Sequence, residues 1–291
     1  MESFFQFGAL LSAMTWALSG SILKTIKLNK IFSFPFFESI VSLVIIGALI
    51  LIFRDWNSIL NENLNTIKLF LIASVVSCIG SVFYIVSIQR TSISIVFTIC
   101  ASSNVLMTLI LDYIFNSVRH SNMVLIGCLL ILSSILIINI KNFKSKELNL
   151  MIGIFGGVMA GSLWGFAVYF NDKALIEGSV LSGSLMRAIV GVTTLFLASI
   201  IYKSQKIEFV NNTIHQSKII IAGALITFSS LIWFVSLSNT SGSLTAMLGS
   251  TAPIWAIILG YLFLKERLLR NELIGIALAF IGIIIIIIFK S

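Results

Sequence analysis

Ten long apolar runs dominate the 291-residue chain, at roughly 4–23, 34–53, 67–88, 91–114, 122–140, 150–171, 180–202, 217–237, 241–264 and 271–289. Each is close to the roughly 20 residues a helix needs to cross a bilayer. Only short polar breaks separate them, so no room remains for a water-exposed domain. In the bilayer core the backbone must pair within helices or in a closed barrel. A barrel would show segments of about 10 residues with alternating polarity; these runs are longer and continuously apolar. Composition agrees, with 58% of residues hydrophobic and 10% charged, against about 45–50% and 25% in a soluble domain. A water-soluble enzyme and a disordered chain are both excluded. The chain reads as an all-α integral membrane protein of ten transmembrane helices.

The runs fall into two related sets. At an offset of 148 residues, Leu111-Asp-Tyr-Ile-Phe115 falls on Leu259-Gly-Tyr-Leu-Phe263, and Trp16 on Trp164. Arg119 falls on Arg267, and Leu125-Ile126-Gly127 on Leu273-Ile274-Gly275. With one further residue, Val86-Ser87 falls on Val235-Ser236, Thr91-Ser92 on Thr240-Ser241, and Asn104 on Pro253. Apolar bias explains stray Ile and Leu matches, but not aligned Trp, Tyr, Arg, Gly and Thr-Ser. The expected division is a five-helix repeat over residues 1–141 and a second over 149–291. Five is odd, so the second repeat enters the membrane from the opposite side. Inverted repeats of this kind build secondary transporters around one site near the midplane.

Several chemistries are missing from the sequence. There is no GxxxxGK[ST] phosphate loop, so a gradient rather than ATP must drive transport. His120 and His215 sit in polar breaks without ligand-spaced partners, and Cys78, Cys100 and Cys128 lie in apolar runs without CxxC spacing. No metal, cofactor or enzyme activity is expected. The net charge of +8 comes from Lys and Arg clustered in the breaks, as in loops that orient a membrane protein, and does not call for nucleic acid. Thirteen of these cations lie in the breaks on one side of the membrane and five on the other, which by the positive-inside rule puts both termini outside. The first run follows Glu2 with no Lys or Arg before it, so it reads as a retained span rather than a signal peptide.

The second half carries a signature. Pro253 lies in run nine, followed by Gly260-Tyr-Leu-Phe-Leu-Lys-Glu266-Arg267, then Gly275 and Gly282. This resembles the EamA half of the drug/metabolite transporter superfamily, with its ninth-span proline, Gly-rich end and acidic loop residue. The resemblance covers the whole chain and implies two EamA-like repeats. It leans towards export, and towards termini on the cytoplasmic side, against the charge count. In the first half Asn104 stands in place of the proline and Val118 in place of the glutamate. The family arginine is present in run seven as Arg187, whereas run two has Glu38.

The candidate site follows from polar and aromatic residues inside the runs. An ionisable side chain within a span costs about 2.5–3.5 kcal/mol on insertion scales and usually faces the bundle interior. Glu38 is the candidate for coupling and Arg187 for holding an anionic group; the alternative is a structural ion pair or snorkelling to the interface. Trp16 and Trp164, repeat mates beside small residues, are candidates for a cavity wall, as are Tyr84 and Trp233. Ser103 and Asn104 in run four, and Ser250, Thr251 and Pro253 in run nine, suggest polar helix breaks at matching depth, or helix packing through hydroxyls. Asp112 is expected to cap a neighbouring helix, and the run-six glycines to form a packing face.

The expected function is secondary-active export of a small metabolite such as an amino acid, across a bacterial inner (plasma) membrane. The expected partners are that substrate, the lipid bilayer and protons as coupling ion, in a monomer or homodimer. The alternatives are import or exchange of an anionic or nucleotide-like metabolite, and a non-transporting membrane scaffold.

Overall fold

The computed structural model describes residues 2–26, 30–117, 121–139, 148–208, 213–264 and 270–289. The breaks holding Val118, Arg119, His120, Lys141–Glu147 and Lys265–Arg267 lie outside the described residues. Among the described residues the chain is helical, with no strand. The helices are α1 (Glu2–Lys24), α2 (Ser33–Phe53), α3 (Trp56–Leu60), α4 (Leu64–Arg90), α5 (Ile93–Phe115) and α6 (Asn122–Asn139) in the first half. The second half holds α7 (Leu148–Ala174), α8 (Val180–Ile201), α9 (Thr213–Leu237), α10 (Gly242–Gly249), α11 (Ala252–Leu264) and α12 (Arg270–Phe289). Among the described residues seven segments are long and apolar enough to cross a membrane: α2, α4, α5, α7, α8, α9, and α10 with α11. Helices α1, α6 and α12 occupy the remaining three runs.

Helix starts follow local chemistry. Asn63 accepts from the Asn65 amide at 3.1 Å to cap α4, and Ser179 accepts from the Ser182 amide at 3.0 Å to cap α8. Such caps satisfy amides that have no intrahelical partner. The break between runs two and three is not wholly irregular, because it folds into the one-turn helix α3.

The matched breaks expected in runs four and nine occur only in the second. Pro253 has no amide to offer the Gly249 carbonyl, so the ninth segment splits into α10 and α11 at Ser250–Thr251. With Asn104 in place of the proline, α5 runs unbroken from Ile93 to Phe115.

Packing joins the two halves. Helix α1 packs on α9 and on α10–α11, while α4 and α5 pack on α7. Helix α2 packs on α8 and α9, α4 on α8, α6 on α12, and α5 on α10 and α11. Exchanging each first-half helix for its second-half counterpart turns every one of these contacts into itself or another in the set.

The seams differ in chemistry. Between α1 and α9, the Ser12 and Ser229 hydroxyls donate to each other's backbone carbonyls, both at 2.8 Å, and Ser19 donates to the Ala222 carbonyl at 2.8 Å. Between α7 and α4–α5, glycines let the backbones touch. A Cβ on Gly156 would meet the Phe83 carbonyl at 3.0 Å, and one on Gly161 would strike the Cys100 carbonyl. The run-six glycines are thus a packing face.

Buried Asp112, at the end of α5, accepts from the Ser243 amide at 3.0 Å in the first turn of α10, and from Asn116 at 2.8 Å. It caps a neighbouring helix. Asp112→Ala is expected to cost about 0.5–2 kcal/mol, the usual worth of such a cap, read as a lowered melting midpoint in detergent.

Candidate functional site: a central cavity

A cavity of about 180 Å³ lies between α1, α2, α4, α5, α7, α8, α9 and α10. At roughly 10–15 Å³ per water on this measure, it has room for on the order of ten waters. Its walls include Trp16, Phe34, Tyr84, Trp164, Trp233 and Phe234. Trp16, Tyr84 and Trp164 form a triangle, with ring centroids 6.0, 5.4 and 5.5 Å apart. The Trp164 indole N–H donates to the Ser77 carbonyl at 3.2 Å, which fixes the ring across the α4–α7 seam.

Glu38 and Arg187 face one another across the α2–α8 contact. The Arg187 guanidinium donates to Glu38 Oε1 at 2.9 Å, and the two side chains are only 22% and 7% exposed. The same oxygen accepts from the Ser42 hydroxyl at 3.3 Å, and Ser42 lies 2.6 Å from Thr227 Oγ1. Both ions border the central cavity, and both border a small polar pocket lined by Ser39, Ser74, Ser77, Cys78 and Ser81. An ion pair was one of the two readings open for these residues, and it is the arrangement found. Its charges compensate, so no bare cation faces the cavity at Arg187.

Of the sequence candidates, Trp16, Glu38, Tyr84, Asn104, Trp164, Arg187 and Trp233 line this one cavity. The other four do not. Ser103 turns against Gly161 of α7, and the Ser250 hydroxyl bonds the Met247 carbonyl. Thr251 is buried, and Pro253 shapes the α10–α11 break instead. The break does serve the site, because Gly249, whose carbonyl loses its helical donor to Pro253, borders the cavity. The Tyr84 hydroxyl and Asn104 Oδ1 are buried without a hydrogen-bond partner among the described residues.

Ser77, Ser81, Ser229 and Ser230 also line the cavity and were not singled out in the sequence. For Ser81 and Ser230 the sequence carried a signal. At an offset of 149, Ser81 falls on Ser230, Ile85 on Phe234, Cys100 on Gly249, Tyr84 on Trp233 and Glu38 on Arg187, and every one of these ten residues borders the cavity. Asn171 borders it too. Among the described residues no His, Cys, Asp or Glu cluster could hold a metal ion.

Such a helical bundle, closed around a cavity with a compensated ion pair in its wall, has the anatomy of a membrane transporter. The model of the EamA-like transporter family matches residues 4–140 and 151–288, so the chain belongs to that family, within the drug/metabolite transporter superfamily. It is a multi-pass membrane transporter. An uncharacterized transporter of Archaeoglobus fulgidus is 23% identical over 280 residues, covering 96% of each chain. An uncharacterized protein of Methanocaldococcus jannaschii is 30% identical over 134 residues, which are 45% of this chain but 92% of that one. A protein of known crystal structure shares the fold, with a TM-score of 0.77 at 12% identity, over 100% of this chain and 98% of the other.

Proposed function

We propose that the protein is a ten-helix secondary transporter of two inverted five-helix repeats. It exports a small neutral or zwitterionic metabolite, of amino-acid size, through the central cavity by alternating access. The observation that carries this reading is a cavity lined by repeat mates around a self-compensated Glu38–Arg187 pair. The exchange symmetry of the helix contacts supports the repeat, as does a relative that corresponds to about one half of this chain. Export rests on the family resemblance. The plasma membrane is the location this reading implies; the two named relatives are archaeal, so the expectation of a bacterial source gains no support from them.

Import of an anion is the weaker reading. It needs a free cation at the site, and Arg187 is held by Glu38 at 2.9 Å. Breaking that pair for a substrate would leave one partner charged and unpaired in a poorly solvated place.

The test compares metabolites in cells and medium for the intact protein and for Ser81→Trp. Ser81 lines the cavity, so a tryptophan there fills it. A compound enriched outside only with the intact protein supports export; enrichment inside means import. An intact biological activity in a folded Ser81→Trp protein favours the scaffold. Proton coupling through Glu38 is tested separately: Glu38→Gln should make transport indifferent to an imposed pH gradient, and an unchanged pH response rejects it.

A further inference from the structure

The cavity is lopsided. On α7 its lining runs from Trp164 to Asn171, in the last turn of the helix, but on α1 it stops at Trp16, two turns short of Lys24. Beyond Trp16, α1 is packed shut against α4 and α5, and only the first turn of α2, with Phe34 and Pro35, carries the lining further towards that end. The Phe97 ring sits 4.4 Å from Trp16, and a Cβ on Gly20 would meet Phe97 at 2.6 Å and the Tyr84 hydroxyl at 2.8 Å.

At the same end, the Lys24 ammonium donates to the carbonyls of Ile88 and Thr91, both at 2.6 Å. It ties the end of α1 to the α4–α5 corner. Between this tie and the blind end of the cavity lie the buried hydroxyls of Ser87 and Thr98, and in the wall at that end lies the Tyr84 hydroxyl; none of the three has a hydrogen-bond partner among the described residues. A buried hydroxyl left unpaired is costly, and three together at the closed end of the cavity need a reason. On α4, Tyr84 continues the cavity-lining stripe of Ser77 and Ser81 at helical spacing, and Ser87 lies one turn further on, against Gly157 of α7.

We propose that Lys24 is the latch of the closed end, and that when it releases the Ile88 and Thr91 carbonyls the hydroxyls of Tyr84, Ser87 and Thr98 become the wall of a second opening. The partnerless hydroxyls are then groups that bond water or substrate in the other state. The two ends are unlike. At the opposite end the repeat mate of Lys24 is Asp172, which lies against Gly242 at the start of α10. Loss of Lys24 therefore frees one end only.

This inference deepens the alternating-access reading, and its test needs no substrate, so a failed latch and a failed transport assignment show separately. Cys78, Cys100 and Cys128 are replaced by Ser, Thr98→Cys is introduced, and a membrane-impermeant maleimide is applied to sealed vesicles of both orientations. With Lys24 in place, labelling is expected to be slow from both faces. Lys24→Met should raise it about tenfold or more from one face, the shift that losing one charged hydrogen bond produces in a two-state equilibrium. Lys24→Arg, which keeps the charged donors, should label more slowly than Lys24→Met. Ser81→Cys, inside the cavity, must still label in the Lys24→Met protein as a check on folding. If Lys24→Met does not fold, Gly20→Ala carries the test, because it crowds Phe97 and Tyr84 without touching Lys24 and should expose Thr98→Cys at the same face. Continued protection of Thr98→Cys, or equal exposure at both faces, overturns the latch.

Discussion

Arg187→Met is expected to destabilise the protein by about 3–5 kcal/mol, the cost of leaving one member of a buried ion pair alone. Glu38 is 7% exposed, so its carboxylate would have the Ser42 hydroxyl but no cation. Glu38→Gln should cost less, because an amide still accepts from both Arg187 and Ser42. The double variant Glu38→Gln, Arg187→Met should recover much of the stability lost in Arg187→Met, because neither charge remains to be desolvated. Unfolding midpoints of the four proteins in one detergent decide the matter. A double variant as unstable as the sum of the singles would mean that each residue acts through packing and that the pair contributes nothing.

Gly161→Val is the second large effect, expected to lower stability by more than about 3 kcal/mol. Overpacking a filled interior costs about 1–3 kcal/mol when side chains can give way. Here the obstacle is the backbone carbonyl of Cys100, with Ser103 Cβ 2.8 Å from the new Cβ. Only separation of α5 from α7 would make room. That movement would also shift Cys100, Ala101 and Asn104, which line the cavity from α5, so binding should suffer with stability. The contrast is Gly47 of α2, where a Cβ would meet nothing within 4 Å. Gly47→Ala should be neutral, or stabilising by up to about 1 kcal/mol through helix propensity. Equal behaviour of the two variants would show that the α5–α7 contact is looser than its geometry.

Much of the cavity's lining was legible because the sequence matches at offsets of 148 and 149 pair its residues. Trp16 with Trp164, Tyr84 with Trp233, and Glu38 with Arg187 could be found as polar or aromatic residues at matching depth. The same offset pointed to Ser81 and Ser230, but single serines inside apolar runs are common and did not stand out. Where the reading went astray, the reason is rotation about a helix axis. Ser103 and Asn104 share a depth, yet successive residues turn by about 100° around a helix. One therefore lies against Gly161 while the other borders the cavity. Ser250 and Thr251 failed for a different reason: they sit at the break that Pro253 makes, and their neighbour Gly249 reaches the cavity instead.

The sequence by itself determined the class: an all-helical chain of apolar runs suited to a bilayer, with a duplicated pattern and the EamA signature. These are one-dimensional properties, because the length and polarity of a segment decide whether it can sit in hydrocarbon whatever its neighbours are. Only the tertiary structure decided that Glu38 and Arg187, 149 positions apart, neutralise each other across one helix contact. It alone placed Lys24 on the carbonyls of a distant corner and closed α1 against Phe97 and Tyr84 beyond Trp16. Such pairings depend on how helices cross and which face each presents, and in a bilayer uniform hydrophobicity says little about that face. Small residues, hydroxyls and a few charges set it, and their partners become known only when the helices are brought together.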